Sequence, residues 1–286
     1  MRVRILQAVT SVHVGDGTAM GAVDLPVVRE SQTGWPTIAG SSCKGALRQR
    51  ARFLGSAEGL VIDTFGAEPP DDGASDEPLQ AGRVAFGPAV LLALPVRSLA
   101  GGFVLMTCSL ALGRLARALG ETSIPPLPVP AGDEALLAPK RLATFGTRAR
   151  NAQDDTFELV LEDLDWVGRG AAEVERWAEL LKQWLGQEAP LDHLAVVHDD
   201  LFSHACRTWL PVRTRAKIDV KTGVVEDGAL FTAEEVPTDT LWWTWTDGDR
   251  VGDPLPGHGE VWIVGGLTTI GMGRVAWYQR EVADAS

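Results

Sequence analysis

Ile38-Ala39-Gly40-Ser41-Ser42-Cys43-Lys44-Gly45-Ala46-Leu47-Arg48 turns the chain into a helix and brings two hydroxyls and a lysine to its first turn. Ser41 or Ser42 is placed to cap a helix from about Lys44 to Leu54, since a short hydroxyl side chain can accept from the orphan N–H groups there. Those N–H groups, with the positive end of the helix dipole, attract phosphate. The helix then carries Lys44, Arg48, Arg50 and Arg52, with no acid between Ser41 and Phe53. An ordinary cap on an exposed basic helix has the same pattern, so the stretch alone leaves both readings open.

Working outward, Val3–Thr10 alternates like a strand until Gly15-Asp16-Gly17 breaks it. On the other side, Ala67–Gln80 is rich in Pro, Asp and Gly and predicts a loop. Strands are predicted at Arg83–Phe86, Val90–Val96, Phe103–Thr107 and Phe157–Trp166, with Ser109 capping a helix through Leu119. Four prolines make Ile124–Ala131 irregular. Ala171–Leu185 is the clearest helix, with Val174, Trp177, Leu181, Trp184 and Leu185 on one face and Gly186 ending it. Leu241–Trp245 reads as a strand with Trp243 and Trp245 on one face, and Val261–Val264 and Arg274–Arg280 as the last two. Strands and helices mix without regular alternation, which predicts an α+β fold with insertions and no internal repeat.

The chain has 286 residues, 45% of them hydrophobic, and a net charge of −12. Overall acidity argues against nucleic acid, but phosphate binding needs only local positive charge. Besides the helix, Lys140, Arg141, Arg148 and Arg150 cluster, as do Arg207, Arg213, Arg215, Lys217 and Lys221, the latter interrupted by Asp219. Acids gather in Glu68–Glu77 and Asp154–Glu188. The segregation predicts one basic and one acidic face, and solvated patches explain it equally well. Cys43, Cys108 and Cys206 form no CxxC pair and predict buried, reduced thiols. No run of 18 apolar residues exists and Met1–Ile5 does not open a signal peptide, which predicts a soluble, cytoplasmic protein with no membrane partner.

Gly265-Gly266-Leu267-Thr268-Thr269-Ile270-Gly271-Met272-Gly273-Arg274 is a glycine-rich loop between two strands. Its glycines would let successive N–H groups face a phosphate, although an elaborate β-turn gives the same spacing. Leading into a strand, it is not a dinucleotide fingerprint. Lys217–Val220 and Ala229–Phe231 flank Lys221-Thr222-Gly223 and predict a hairpin. His193, His198, His204 and Cys206 match no closed zinc spacing.

Ala39–Arg48 together with Gly271-Met-Gly-Arg-Val275 resembles the RAMP superfamily of CRISPR–Cas proteins. His13–Thr18, Val23-Asp-Leu-Pro-Val-Val-Arg-Glu30, Thr33-Gly-Trp-Pro36, Leu94–Leu99, Val212–Asp219 and Gly228–Pro237 look, within it, like the fourth Cmr subunit family, the repeated Cas7-type backbone of type III-B effectors. The type III-A backbone family shares some of these features. Cys43 stands where the family more often has an aliphatic residue, and Asp71–Glu77 is unusually acidic.

The resemblance implies a modified RNA-recognition-motif (ferredoxin-like) palm. It implies a single domain over 1–286, with insertions near 67–80 (acidic loop), 121–190 (helical and irregular) and 212–232 (a thumb hairpin). Copies would stack head to tail on a crRNA guide beside other Cmr-type subunits, and complementary target RNA would be cut every six nucleotides. Asp24 falls on the family's cleavage position. It would take the 2′-hydroxyl proton or hold Mg2+ or Mn2+, whereas the residues alone suit a loop cap or an ion pair with Arg29. His13 is a candidate general acid whose place beside Gly15 equally suits packing. Guide contacts fall on Ser41, Ser42, Lys44, Arg48, Gly271, Gly273 and Arg274, and Arg213, Arg215 and Lys217 would meet phosphates on the thumb. Two alternatives stand beside this one: an inactive structural backbone subunit, and a CRISPR RNA-processing endoribonuclease.

Overall fold

The computed structural model describes residues 1–15, 17, 23–68, 80–120, 124–151, 156–218, 221, 223–248 and 254–280. The acidic stretch Asp71–Glu77, the turn residue Thr222, Asp219 and the Lys217 side chain lie outside the described residues.

In chain order the elements are β1 (Arg2–Ala8), α1 (Gly40–Phe53), α2 (Glu58–Phe65), β2 (Val84–Phe86), β3 (Val90–Arg97), β4 (Phe103–Cys108) and α3 (Ser109–Leu119). Then come β5 (Glu134–Leu137), α4 (Leu142–Phe145), β6 (Arg148–Asn151), β7 (Thr156–Leu161), β8 (Leu164–Gly170), α5 (Ala172–Leu185), β9 (Leu194–Val197) and α6 (Asp199–Thr208). The chain closes with β10 (Val212–Ile218), β11 (Val225–Glu234), β12 (Leu241–Gly248), β13 (Glu260–Ile263) and β14 (Arg274–Tyr278). Twelve strands form one mixed sheet in the order β13-β14-β1-β12-β3-β4-β9-β5-β8-β7-β6, with β2 paired to the far end of β12. Among the described residues of this sheet, only β4–β9 and β5–β8 run parallel. β10 and β11 stand apart as a two-stranded antiparallel ribbon. The α+β expectation holds.

The sheet has two buried faces because its central strands alternate between two apolar sets. Leu6 and Trp242 face one side with Leu47 of α1, Phe65 of α2 and Phe202 of α6. Ile5, Leu241 and Trp243 face the other with Leu112 and Leu115 of α3 and the apolar stripe of α5. In that stripe Val174, Trp177, Leu181, Trp184 and Leu185 are all buried, each large side chain contributing about 1.5–3 kcal/mol.

Both expected serine caps need correction. Helix α1 starts at Gly40 with Ala39 as its cap residue, and no side chain caps it. Ile38 bridges Ala89 just upstream, and a Cβ on Gly40 would lie 2.6 Å from the Phe86 carbonyl oxygen. The chain therefore turns helical at once, placing Ser41 and Ser42 inside the first turn. Ser109 likewise begins α3 and donates to the Pro128 carbonyl, while the helix N-terminus is capped from afar by Asp199, which accepts from the Leu110 N–H at 3.0 Å. The single strand expected over Phe157–Trp166 is two, β7 and β8, joined at Glu162–Asp163 with Glu162 at φ 51°.

Candidate functional site

Val23 to Arg29 runs past the base of the β10–β11 ribbon and is fastened to β11. Leu25 forms a parallel bridge with Ala233: its N–H donates to the Thr232 carbonyl, and its carbonyl accepts from the Glu234 N–H, both at 3.0 Å. Inside that bridge Asp24 and Thr232 close a small ring. The Thr232 N–H and hydroxyl donate to Asp24 Oδ2 at 2.7 and 2.9 Å, and the Asp24 N–H donates to the Thr232 hydroxyl at 3.0 Å. Asp24 is exposed, and its Oδ1 has no hydrogen-bond partner among the described residues. The Thr232 backbone N–H first, and its hydroxyl second, hold this carboxyl below the usual aspartate range. Asp24 is therefore a fixed anion at neutral pH, with one oxygen used for anchoring and one open.

The ion pair that the residues alone suggested between Asp24 and Arg29 is not formed. Arg29 pairs instead with Glu234, 7% exposed, and donates to the carbonyls of Gly34 and Cys206 at 2.8 and 2.7 Å. Glu234 Oε2 accepts from the Val27 N–H at 3.0 Å, and the Glu234 carbonyl binds His13 Nδ1 at 2.8 Å. A carbonyl can only accept, so Nδ1 carries a proton. His13 is 5% exposed, and a Cβ on Gly15 would come within 3.0 Å of Nε2. The ring lies beneath Gly15 rather than open to solvent.

The next residue, Glu235, is 3% exposed and receives Arg213 at 3.1 Å and Arg215 at 2.6 Å. Two cations expected to face phosphates are thereby tied to one buried acid at the ribbon's base, with Arg213 still largely exposed. Lys217 contributes its backbone to β10. Thr232, Glu234 and Glu235 escaped sequence reasoning. Their signal was a threonine and two consecutive acids in an apolar strand, Phe231 to Val236, where buried carboxylates require partners.

The basic flank of α1 is also largely neutralised. Arg48 pairs with Glu68 and donates to the carbonyls of Phe65 and Gly66, closing the C-terminus of α2. Arg50 pairs with Glu260, and Arg52 with Glu58 and Glu68. Acids distant in sequence thus fold onto the acid-free stretch. Lys44 forms no ion pair among the described residues and sits one turn from the uncapped N–H groups of Gly40–Ser42. Beside it, burial pushes the Cys43 thiol up to about 12, so it is no nucleophile.

The C-terminal loop is wound into a short 3-10 turn, Thr268–Ile270, with Leu267 and Gly271 both left-handed. Its expected row of free N–H groups is corrected in the second half of the loop, whereas those of Leu267, Thr268 and Thr269 have no partner among the described residues. Those of Ile270, Gly271, Met272, Gly273 and Arg274 all donate within the protein. Gly273 is required by packing, since a Cβ there would lie 2.3 Å from the Val264 carbonyl oxygen, whereas Gly271 faces open space. The loop also presents the exposed Arg274 side chain.

Around Asp24 the protein builds no closed ligand shell. Among the described residues no three of His, Cys, Asp and Glu gather to hold a metal, and Glu234 and Glu235 are committed to arginines. One open carboxylate oxygen is a single ligand, and a divalent cation there would keep most of its waters. His193 Nδ1 binds the Phe103 carbonyl, His198 caps α6, and Cys206 is buried, so these residues are engaged structurally. No helix among the described residues is long and apolar enough to cross a membrane.

The RAMP superfamily model matches residues 5–276. The CRISPR system Cmr endoribonuclease Cmr4 of Pyrococcus furiosus is 30% identical over 98% of this chain and 95% of its own length. The chain belongs to the RAMP superfamily, and within it to the Cmr4 family. A Cmr4-family subunit of Saccharolobus solfataricus is 33% identical over 33% of the chain. The fold agrees with the crystal structure of oligomeric Cmr4 from Pyrococcus furiosus, at a TM-score of 0.70 and 20% identity over 99% of this chain and 100% of that one. A chain of the type III-B Cmr-beta complex bound to cognate target RNA gives 0.70 at 19% identity over 97% and 96%. This Cmr4-family chain thus has a ferredoxin-like RAMP palm, with Asp24 beside its ribbon and Lys44 on α1.

Proposed function

We propose that this chain is the crRNA-binding, repeated backbone subunit of a type III-B Cmr effector and that it cleaves complementary target RNA at Asp24. The observation that carries the reading is a full-length match to a Cmr4 endoribonuclease combined with an exposed, anchored carboxylate at Asp24. Copies stack head to tail beside other Cmr-type subunits along the guide in the cytoplasm, and cuts fall at six-nucleotide intervals. Lys44, the first turn of α1 and Arg274 hold the guide through phosphate and sugar, which leaves spacer sequence free. The β10–β11 ribbon meets the guide–target duplex.

In the cleavage step a displaced nucleotide aligns its 2′-hydroxyl with the adjacent phosphorus. The 2′-oxygen forms a bond to phosphorus as it gives its proton to solvent water, the bond to the 5′-oxygen breaks, and that oxygen takes a proton from water, which the exposure of Asp24 admits. The products are a 2′,3′-cyclic phosphate and a 5′-hydroxyl. A carboxyl held below its ordinary range is a weak base, so Asp24 acts by its fixed charge and orientation rather than by taking the proton. Asp24 is the residue that would hold Mg2+ or Mn2+, which would supply charge stabilisation at phosphate.

The test is the assembled complex with guide and complementary target, in Mg2+ and in chelator, with wild type and Asp24→Ala. Periodic cuts lost in the variant with guide binding intact support the reading. Equal cleavage by both proteins overturns the role of Asp24, and cutting of guide precursor by the lone subunit points to a processing enzyme. Undiminished cleavage in chelator removes the cation.

A further inference from the structure

The open oxygen of Asp24 is aimed by a single residue of another element. Thr232 lies on β11, 208 positions downstream, and makes every hydrogen bond that the Asp24 main chain and carboxylate form among the described residues. Two donors on Oδ2 restrain the short side chain, because rotating the carboxylate would break at least one of two bonds near 3 Å, while the Asp24 N–H donates to the same hydroxyl and holds it in place. The Leu25–Ala233 bridge fixes the backbone on which this ring sits.

We propose that Thr232 is a positioning residue for RNA cleavage: its hydroxyl locks the Asp24 carboxylate so that Oδ1 alone addresses the RNA. The inference rests on the reading of Asp24 as the cleavage residue. Serine can close the same ring. Valine keeps the shape, the β-branch and the backbone N–H, but neither donates to Oδ2 nor accepts from the Asp24 N–H. The carboxylate then keeps one anchor and can swing about it. Asp24 is ionised with or without the hydroxyl, so the loss is one of orientation rather than of charge.

The experiment compares wild type, Thr232→Val, Thr232→Ser and Asp24→Ala in the complex assembled on guide RNA, under single turnover across a range of target concentrations. Thr232→Val lowers the maximal cleavage rate about tenfold, with half-saturating target and guide affinity unchanged, while Thr232→Ser returns to within about twofold of wild type. A purely structural role would lower thermal stability and assembly and would move target affinity along with rate. Full activity in Thr232→Val, or an equal loss in Thr232→Ser, overturns the proposal while an inactive Asp24→Ala leaves the cleavage residue standing. An active Asp24→Ala overturns both.

Discussion

Arg29 and Glu234 meet beneath the Asp24 loop, each holding more than the other. The guanidinium also gathers the carbonyls of Gly34 and Cys206, and the carboxylate also receives the Val27 N–H. One ion pair therefore ties the loop, the start of the Thr33–Pro36 turn, the end of α6 and β11 into one body.

Removing one partner leaves the other a poorly solvated charge. Glu234→Ala should cost about 2–4 kcal/mol, somewhat less than a fully buried pair because Arg29 is 22% exposed and keeps its two carbonyls. Chemical denaturation of the isolated subunit measures this. A change under 1 kcal/mol would show that the pair is not coupled to the fold.

Asp24→Asn addresses how the carboxylate acts. With its carboxyl held below the ordinary range, Asp24 is charged throughout neutral pH. The substitution should slow cleavage about a hundredfold or more by the same factor at every pH from about 5 to 9. A penalty that vanishes toward the acid end, where a general base of near-neutral pKa would already be protonated, would restore the base role.

Lys44→Ala and Arg48→Ala separate binding from folding on one helix. Losing Lys44 should weaken guide binding without loss of stability and reduce the slope of log affinity against log salt by about 1. Losing Arg48 should cost about 1–3 kcal/mol of stability, because the carbonyls of Phe65 and Gly66 lose their donor. Reversed outcomes in a salt titration and a melting curve would exchange the two assignments.

The two C-terminal glycines differ in the same way. Gly273→Ala meets the Val264 carbonyl at φ 84° and should lose about 2–4 kcal/mol. Gly271→Ala, at φ 90° in open space, should lose only about 1 kcal/mol. Similar melting temperatures for both would mean that the loop relaxes around the added methyl.

What the sequence made legible followed from local rules. The α5 stripe and the alternation in β1 and β12 declare themselves because each element's period is written in consecutive residues. Helix α2, strand β9 and helix α6 went unseen, being short and carrying signals that only neighbours complete. Asp24 and Lys44 were reachable through family resemblance. Their surroundings were not, since Thr232 and Glu234 lie more than 200 residues from the groups they hold. The same distance explains the misjudged basic helix: Glu260 is 210 positions from Arg50, so an acid-free stretch of sequence is no guide to an acid-free surface.

Strand β11 carries the exposed Leu230 and, two residues on, Thr232 at the Asp24 loop. Extended backbone neither stretches nor compresses appreciably, and two residues along it span roughly 7 Å. If the ribbon displaces a nucleotide as the proposed function has it, that nucleotide is measured off against the carboxylate by a rigid gauge. A one-residue insertion between Leu230 and Thr232 would turn the gauge over as well as lengthen it, because side chains alternate faces. On the proposed reading of Asp24, cut position is set by the pleat of a single strand.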